Sequence, residues 1–189
     1  RWAIINGEKT TGITIFRMDE GTDTGDLLVS DSLEIGPDET AGELTERLAR
    51  LAARMITPAL RDIVAGEACL VPQEHDKATV VPILTKAEGR IDWSLPAESI
   101  RNRIRGLDPW PGAFTFWRAK RLRLWEAEAN DAGSAGNPGA VLSVEDEGVT
   151  VRAGEGTLRL KSVQLEGGRR MRVEEFLRGH KMAPGEHLG

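Results

Sequence analysis

Gly12-Ile13-Thr14-Ile15-Phe16-Arg17-Met18-Asp19-Glu20-Gly21-Thr22-Asp23-Thr24-Gly25-Asp26 decides how the first part of this chain folds. Gly12–Met18 is rich in β-branched and aromatic residues and predicts a strand. Asp19–Asp26 is polar and broken by glycine, so it predicts a loop. Leu27–Ile35 returns to strand composition. A turn at Gly36-Pro37-Asp38 leads to Thr40-x-x-Glu43, the form of a capping box. Leu44, Leu48, Leu51, Met55, Ala59 and Ile63 then recur at three- and four-residue spacing, the apolar stripe of an amphipathic helix. Pro58 is expected to kink or divide that helix, and Gly66 to end it. Strand, loop, strand, helix is the pattern of the closing part of an α/β domain.

Residues 67–87 have no sustained period and contain Pro72 and Pro82, so they predict a linker. Arg90–Trp93 predicts a short strand, with Ser94 capping a helix from Leu95 to Arg105. Asp108-Pro109-Trp110-Pro111-Gly112 is a rigid turn. Strands are expected at 113–117, 121–129, 140–144, 149–153 and 157–165, with a flexible break at 130–138 and a short closing helix at 173–178. Arg121-Leu122-Arg123-Leu124-Trp125 and Thr157-Leu158-Arg159-Leu160 alternate with period two, the mark of half-buried strands. Five short strands in this span suggest a small antiparallel barrel.

The chain has 189 residues, 40% apolar and 29% charged, an ordinary globular balance, with no apolar run long enough to span a membrane. It begins with Arg rather than Met, inside an apolar stretch, and is expected to be a fragment or a trimmed chain. Cys69 is the single cysteine, which excludes a disulfide framework and a cysteine-built zinc site and points to the cytoplasm. The net charge of −5 is unevenly spread. Residues 1–86 hold nine basic and fifteen acidic side chains, whereas residues 101–123 hold seven basic against Asp108 alone and residues 159–181 hold seven against three. Such local fields attract polyanions, although scattered solvated arginines read the same way by count.

Several chemistries can be weighed on the residues. The Asp19–Asp26 loop lacks the remaining positions of an EF-hand, and no Gly-Lys-Ser/Thr follows its glycines to make a P-loop. A solvated turn and a catalytic carboxylate held between glycines both remain open for it. His75, His180 and His187 form no metal spacing, and no histidine neighbours Cys69 to activate it. Trp93, Trp110, Trp117 and Trp125 fall close together and read as core packing rather than base stacking.

Asn6-Gly7-Glu8, Thr11–Thr14, Met18–Asp26, Ala78-Thr79 through Pro82, Leu84-Thr85-Lys86, Gly89–Trp93, Arg105 with Asp108–Ala113, and Phe176–His180 with Pro184-Gly185 together resemble the methionyl-tRNA formyltransferase family, in order and along the whole chain. The resemblance implies an α/β, Rossmann-like formyltransferase remnant followed by a mostly β, OB-like barrel. The corresponding divisions are residues 1–66, a linker at 67–87, and 88–189. It implies transfer of a formyl group from 10-formyltetrahydrofolate to the amino group of methionine on initiator tRNA, by a monomer without a metal. Asp23 matches the family's catalytic aspartate, with Thr22 where the family usually has Leu. Met18, Asp19, Glu20 and Thr22 would lie beside the folate. The family's catalytic asparagine and histidine fall upstream of Arg1, so these 189 residues by themselves are expected to be inactive. Lys86, Arg90, Arg101, Arg103, Arg105, Lys120, Arg121, Arg123, Arg169, Arg170 and Arg172 are the expected tRNA contacts. A sugar-nucleotide formyltransferase and a non-catalytic OB-like nucleic-acid-binding module are the rival readings.

Overall fold

Thr10–Phe16 (β1) and Leu27–Glu34 (β2) form an antiparallel hairpin in the computed structural model, which describes residues 1–131, 133 and 136–189. The capping box forms as the sequence predicts. Thr40 Oγ1 accepts from the Glu43 amide at 3.3 Å, and the Glu43 carboxylate accepts from the Thr40 amide at 2.9 Å. Helix Ala41–Ala65 follows and ends at Gly66, whose φ of 71° is the left-handed conformation that suits glycine. Pro58 does not divide this helix. The position is exposed, so water can take the Arg54 carbonyl that loses its amide partner. Leu44, Leu51, Met55 and Ala59 are buried, while Ile63 at the end of the stripe is 52% exposed. In the expected linker, Leu27 and Val71 exchange backbone hydrogen bonds of 2.7 and 2.9 Å, and His75–Lys77 makes one 3₁₀ turn. Residues Glu8–Pro82 make one compact unit.

The other unit joins Arg1–Gly7 to Ile83–Gly189, so the division by contacts differs from one that assigns residues 1–66 together. The reason is a helix at Trp2–Ile5 (here α1), with the Ala41–Ala65 helix α2 and Ala97–Gly106 α3. Ile4 and Ile5 of α1 are buried, and α1 packs against α3. Ser94 does not cap α3, which starts after Pro96. Its amide and hydroxyl instead donate to Asp92 Oδ1 at 2.9 and 2.6 Å. Arg90–Trp93 is no strand but a single parallel bridge from Arg90 to Phe114.

The expected strands are present as Ala113–Trp117 (β3), Lys120–Asn130 (β4), Val141–Glu145 (β5), Gly148–Arg152 (β6) and Thr157–Leu165 (β7). They run antiparallel in the order β3-β4-β7-β6-β5, and the short strand Met171–Arg172 (β8) pairs with β7. Helix Val173–Gly179 (α4) follows. The expected break at 130–138 includes positions 132, 134 and 135, which lie outside the described residues. The core gathers Ile100 and Ile104 of α3, Leu122 and Leu124 of β4, Leu158 and Leu160 of β7, and Phe176 of α4. Trp93 and Trp117 are core residues, as expected of the tryptophans, but Trp110 is 45% exposed and Trp125 is half-buried.

One carboxylate ties the end of the chain to this unit. Glu186 accepts from Trp117 Nε1 at 2.7 Å, from Arg118 Nε and Nη2 at 3.1 and 2.8 Å, and from the Ala183 amide at 2.9 Å. These donors, Arg118 foremost, hold the Glu186 carboxyl below its usual range against some desolvation. A carboxyl lowered in the folded state adds stability above its unfolded pKa, and loses that contribution as pH falls through the folded value. Glu186→Ala, which orphans the buried Trp117 N–H, should cost about 1–3 kcal/mol at pH 7 in urea denaturation. The gap between variant and parent should narrow as pH drops below about 4. A gap that does not change with pH would contradict this account.

Candidate functional site

Local contacts close the acidic loop. The Arg17 amide donates to the Asp26 carbonyl at 2.9 Å, and the Arg17 guanidinium pairs with the Asp26 carboxylate at 3.0 Å. Between them Gly25 is buried so tightly that a Cβ there would stand 1.7 Å from the Arg17 carbonyl oxygen. Only glycine fits. Asp19 Oδ1 accepts from the Gly21 amide at 3.0 Å and from Thr24 Oγ1 at 2.7 Å. The Thr24 hydroxyl is the main cause that holds the Asp19 carboxyl below its usual range. Asp19 therefore shapes the loop with its carboxylate.

Asp23 lies at the crest, exposed, with a left-handed φ of 55°. Its carbonyl accepts from Gln73 Nε2 at 2.9 Å, and the Gly25 carbonyl accepts from the same nitrogen at 2.7 Å. Met18, Glu20 and Thr22 are exposed on the same loop, Met18 to 86%. Sequence reasoning missed Gln73. It sits in an aperiodic segment, and nothing in its neighbours marks a partner 50 residues earlier.

The expected basic residues separate into two groups. Several are engaged by the protein itself. Arg101 pairs with Glu98 at 2.9 Å, one turn back on α3. Arg103 donates to the Glu88 carbonyl at 2.9 Å. Arg105 is buried and donates to Asn102 Oδ1 at 2.9 Å, so it offers no guanidinium to a ligand at the surface. Arg169 pairs with Glu175, and Arg170 reaches Asp108 at 3.5 Å. Arg159 and Lys161, which also swelled the positive count, pair with Glu145 at 3.0 Å and Glu128 at 3.2 Å.

Lys86, Arg90, Lys120, Arg121, Arg123 and Arg172 have no carboxylate ion pair among the described residues. Three of them lie over aromatic rings on the outer face of β3 and β4. Arg121 stands 4.5 Å from the Phe114 ring centre, Arg90 5.7 Å from Phe116, and Arg123 5.7 Å from Trp125. Arg170 approaches Trp125 as well, at 5.1 Å. Trp125 is fixed by its Nε1, which donates to Gln164 Oε1 at 3.2 Å. Arg121 and Arg123 line a groove of about 340 Å³ with Gln164, Leu165, Glu166 and Gly167. A guanidinium stacked on a ring keeps its N–H edge available, so the face combines cations with flat apolar surface. The period-two pattern signals which residues face outward, but not which of them escape a carboxylate.

Among the described residues, no group of three His, Cys, Asp or Glu side chains could hold a metal ion, and no helix is long and apolar enough to cross a membrane.

Known proteins resemble the chain throughout. Residues 83–181 match the family described as formyl transferase, C-terminal domain, and residues 1–60 the one described as formyl transferase. A methionyl-tRNA formyltransferase from Caldanaerobacter subterraneus subsp. tengcongensis is 45% identical over 187 residues, 99% of this chain and 60% of that protein. One from Acetivibrio thermocellus is 43% identical over 189 residues, 100% of this chain and 61% of that protein. The chain thus spans about 60% of the length of these curated relatives. Among solved structures, HypX from Aquifex aeolicus in complex with tetrahydrofolic acid superposes with a TM-score of 0.65 at 21% identity, over 93% of this chain and 31% of that one. That likeness is one of fold. With a family match covering more than half its residues, and both the hairpin loop and strands β3 to β8 inside matched segments, the chain belongs to the formyl transferase family.

Proposed function

We propose that this chain carries one catalytic carboxylate and the RNA-binding unit of a methionyl-tRNA formyltransferase. In the reaction, the amino nitrogen of methionine on initiator tRNA attacks the formyl carbon of 10-formyltetrahydrofolate. The bond from that carbon to N10 breaks, the amine gives up a proton, and N10 gains one as tetrahydrofolate leaves. Asp23 is the carboxylate that assists this proton transfer. In sequence, residues 1–66 close the catalytic domain, 67–87 link it, and 88–189 form an OB-like unit that holds tRNA, in a cytoplasmic monomer; by contacts the compact unit Glu8–Pro82 takes in most of that linker. The observation that carries the reading is the identity of 45% and 43% to proteins named for this activity, along the whole of this chain.

The residues present fit the folate donor in one respect. Met18 offers an exposed, unbranched thioether at the loop surface, suited to the face of a pterin ring. The folate complex of HypX, a protein of like fold, supports the same donor class. Glu20 and Thr22 would border the ring, while Asp19 would act by keeping the loop in shape. In the sheet unit, the arginines without carboxylate partners are the phosphate contacts we infer: Arg90, Arg121 and Arg123, with Lys86, Lys120 and Arg172 around them. Contacts of this kind are independent of base sequence and sensitive to salt. The arginine-rich face favours an RNA substrate over a sugar nucleotide.

Two measurements test the reading. Filter-binding titration of initiator tRNA should weaken at least about tenfold with Arg121→Glu and Arg123→Glu combined, and the slope of log K against log salt should flatten by about 1–2. Arg105→Ala should lower thermal stability and leave that slope unchanged. An unaltered slope in the double variant, or competition by a sugar nucleotide, would count against tRNA. In a formyl-transfer assay, the 189-residue polypeptide should give no turnover. Removing one oxyanion-stabilising donor costs about 10²–10³ in other enzymes, and the family's asparagine and histidine are not among these residues. Measurable turnover would refute that expectation.

A further inference from the structure

We propose that Gln73 is a positioning residue for Asp23; the inference rests on the reading of Asp23 as the catalytic carboxylate. The Gln73 side-chain amide has two N–H groups, and each meets a loop carbonyl: Asp23 at 2.9 Å and Gly25 at 2.7 Å. Both partners are pure acceptors, so the amide nitrogen must face the loop and the amide cannot be turned the other way round. Gln73 is itself delivered by backbone pairing. Val71, two residues earlier, exchanges hydrogen bonds of 2.7 and 2.9 Å with Leu27, the residue that leaves the loop.

The need for such a clamp follows from the backbone. Asp23 has a φ of 55°, a conformation that a residue with a Cβ adopts at a cost and that a free loop would relax. Gly21 and Thr24 are fixed from the near side by the Asp19 carboxylate. Asp23 escapes that bracket, and among the described residues the one side chain that holds the carbonyls on either side of Thr24 from the far side is Gln73. Asp23 is exposed, so water can replace the hydrogen bond lost there, whereas Gly25 is buried and its carbonyl would lose a partner at a cost of about 1–3 kcal/mol. The clamp therefore contributes modestly to stability, and its bond to Asp23 acts on the direction of the Cα–Cβ bond. The orientation of a catalytic carboxylate is worth large factors in rate, and a displacement of about 1 Å can cost about 10²-fold.

Gln73→Glu keeps the length of the side chain, removes both donors and sets a charge against two carbonyl oxygens. In the 189-residue chain, amide order parameters at Asp23–Gly25 should fall from about 0.85 to below about 0.6, with a modest drop in thermal stability. In a formyltransferase of full family length carrying these residues, kcat should fall about 10–100-fold with both KM values unchanged within about twofold. Asp23→Asn is run beside it and should lose about 10²-fold or more in kcat. If Asp23→Asn is inactive while Gln73→Glu retains kcat and loop order, the positioning role is wrong and the catalytic reading stands. If Asp23→Asn keeps full kcat, the catalytic reading falls and this inference falls with it. Should Gln73→Glu fail to fold, Gln73→Met, of similar length and uncharged, carries the same comparison.

Discussion

The pleat of β4 and β7 governs the unit built from Arg1–Gly7 and Ile83–Gly189. Leu122, Leu124, Leu158 and Leu160 are almost wholly buried, and a strand that sends alternate side chains inward must send the others out. Arg121, Arg123 and Trp125 face outward because the leucines between them do not. A slip of one residue would bring guanidinium groups into the core, so register and surface chemistry are fixed by the same term. At Trp125 the ladder shifts between Leu124 and Glu126. The ring is left beside Gln164 and two guanidinium groups rather than in a regular pair.

Whether an outward arginine is available then depends on carboxylates. Arg159, Lys161 and Arg169 each have a glutamate within reach, at the end of β5, on β4 and on α4. Such exposed pairs add about 0–1 kcal/mol to stability, yet they weaken the local field on which polyanion binding depends. Arg90, Arg121 and Arg123 make no such pair and lie over aromatic rings, with Glu166 in the same groove accepting from the Arg121 amide at 3.3 Å. Stacking orders the side chain without cancelling its charge, so the entropy lost on meeting a phosphate is smaller. Net charge is a poor guide here: a chain of −5 overall carries a cationic face on one side of one sheet.

The elements visible in the sequence are those with a strong periodic signal. Strands β3 to β7 fell within one or two residues of their expected limits, and the capping box and the Gly66 stop of α2 formed as read. What was hidden depended on partners distant in sequence. Pro58 was tolerated because its helix face is exposed, which no local pattern reveals. The first residues joined the later unit because Ile4 and Ile5 found α3 about a hundred positions away. Arg101, Arg103 and Arg105 looked like one basic patch, but two residues along a helix turn a side chain by about 200°, so Arg103 faces away from the other two, and Arg105 enters the interior. The loop's acidic and glycine residues were legible as a candidate site, whereas its partner Gln73 was not.

The unit at Glu8–Pro82 poses the opposite problem to the sheet unit. It buries only six apolar side chains: Ile35, Ala41, Leu44, Leu51, Met55 and Ala59. A two-stranded hairpin is marginal in water without packing, and five of those six residues come from α2. Little apolar contact is left to hold an eight-residue polar loop in one shape. The loop is instead specified by directional bonds: Arg17 with Asp26, Asp19 with Gly21 and Thr24, and Gln73 with Asp23 and Gly25. Packing tolerates substitution by volume, but a hydrogen bond to a fixed carbonyl requires a donor of one length at one position. The Asp19–Asp26 loop is therefore more sensitive to single polar changes than the strands on either side of it.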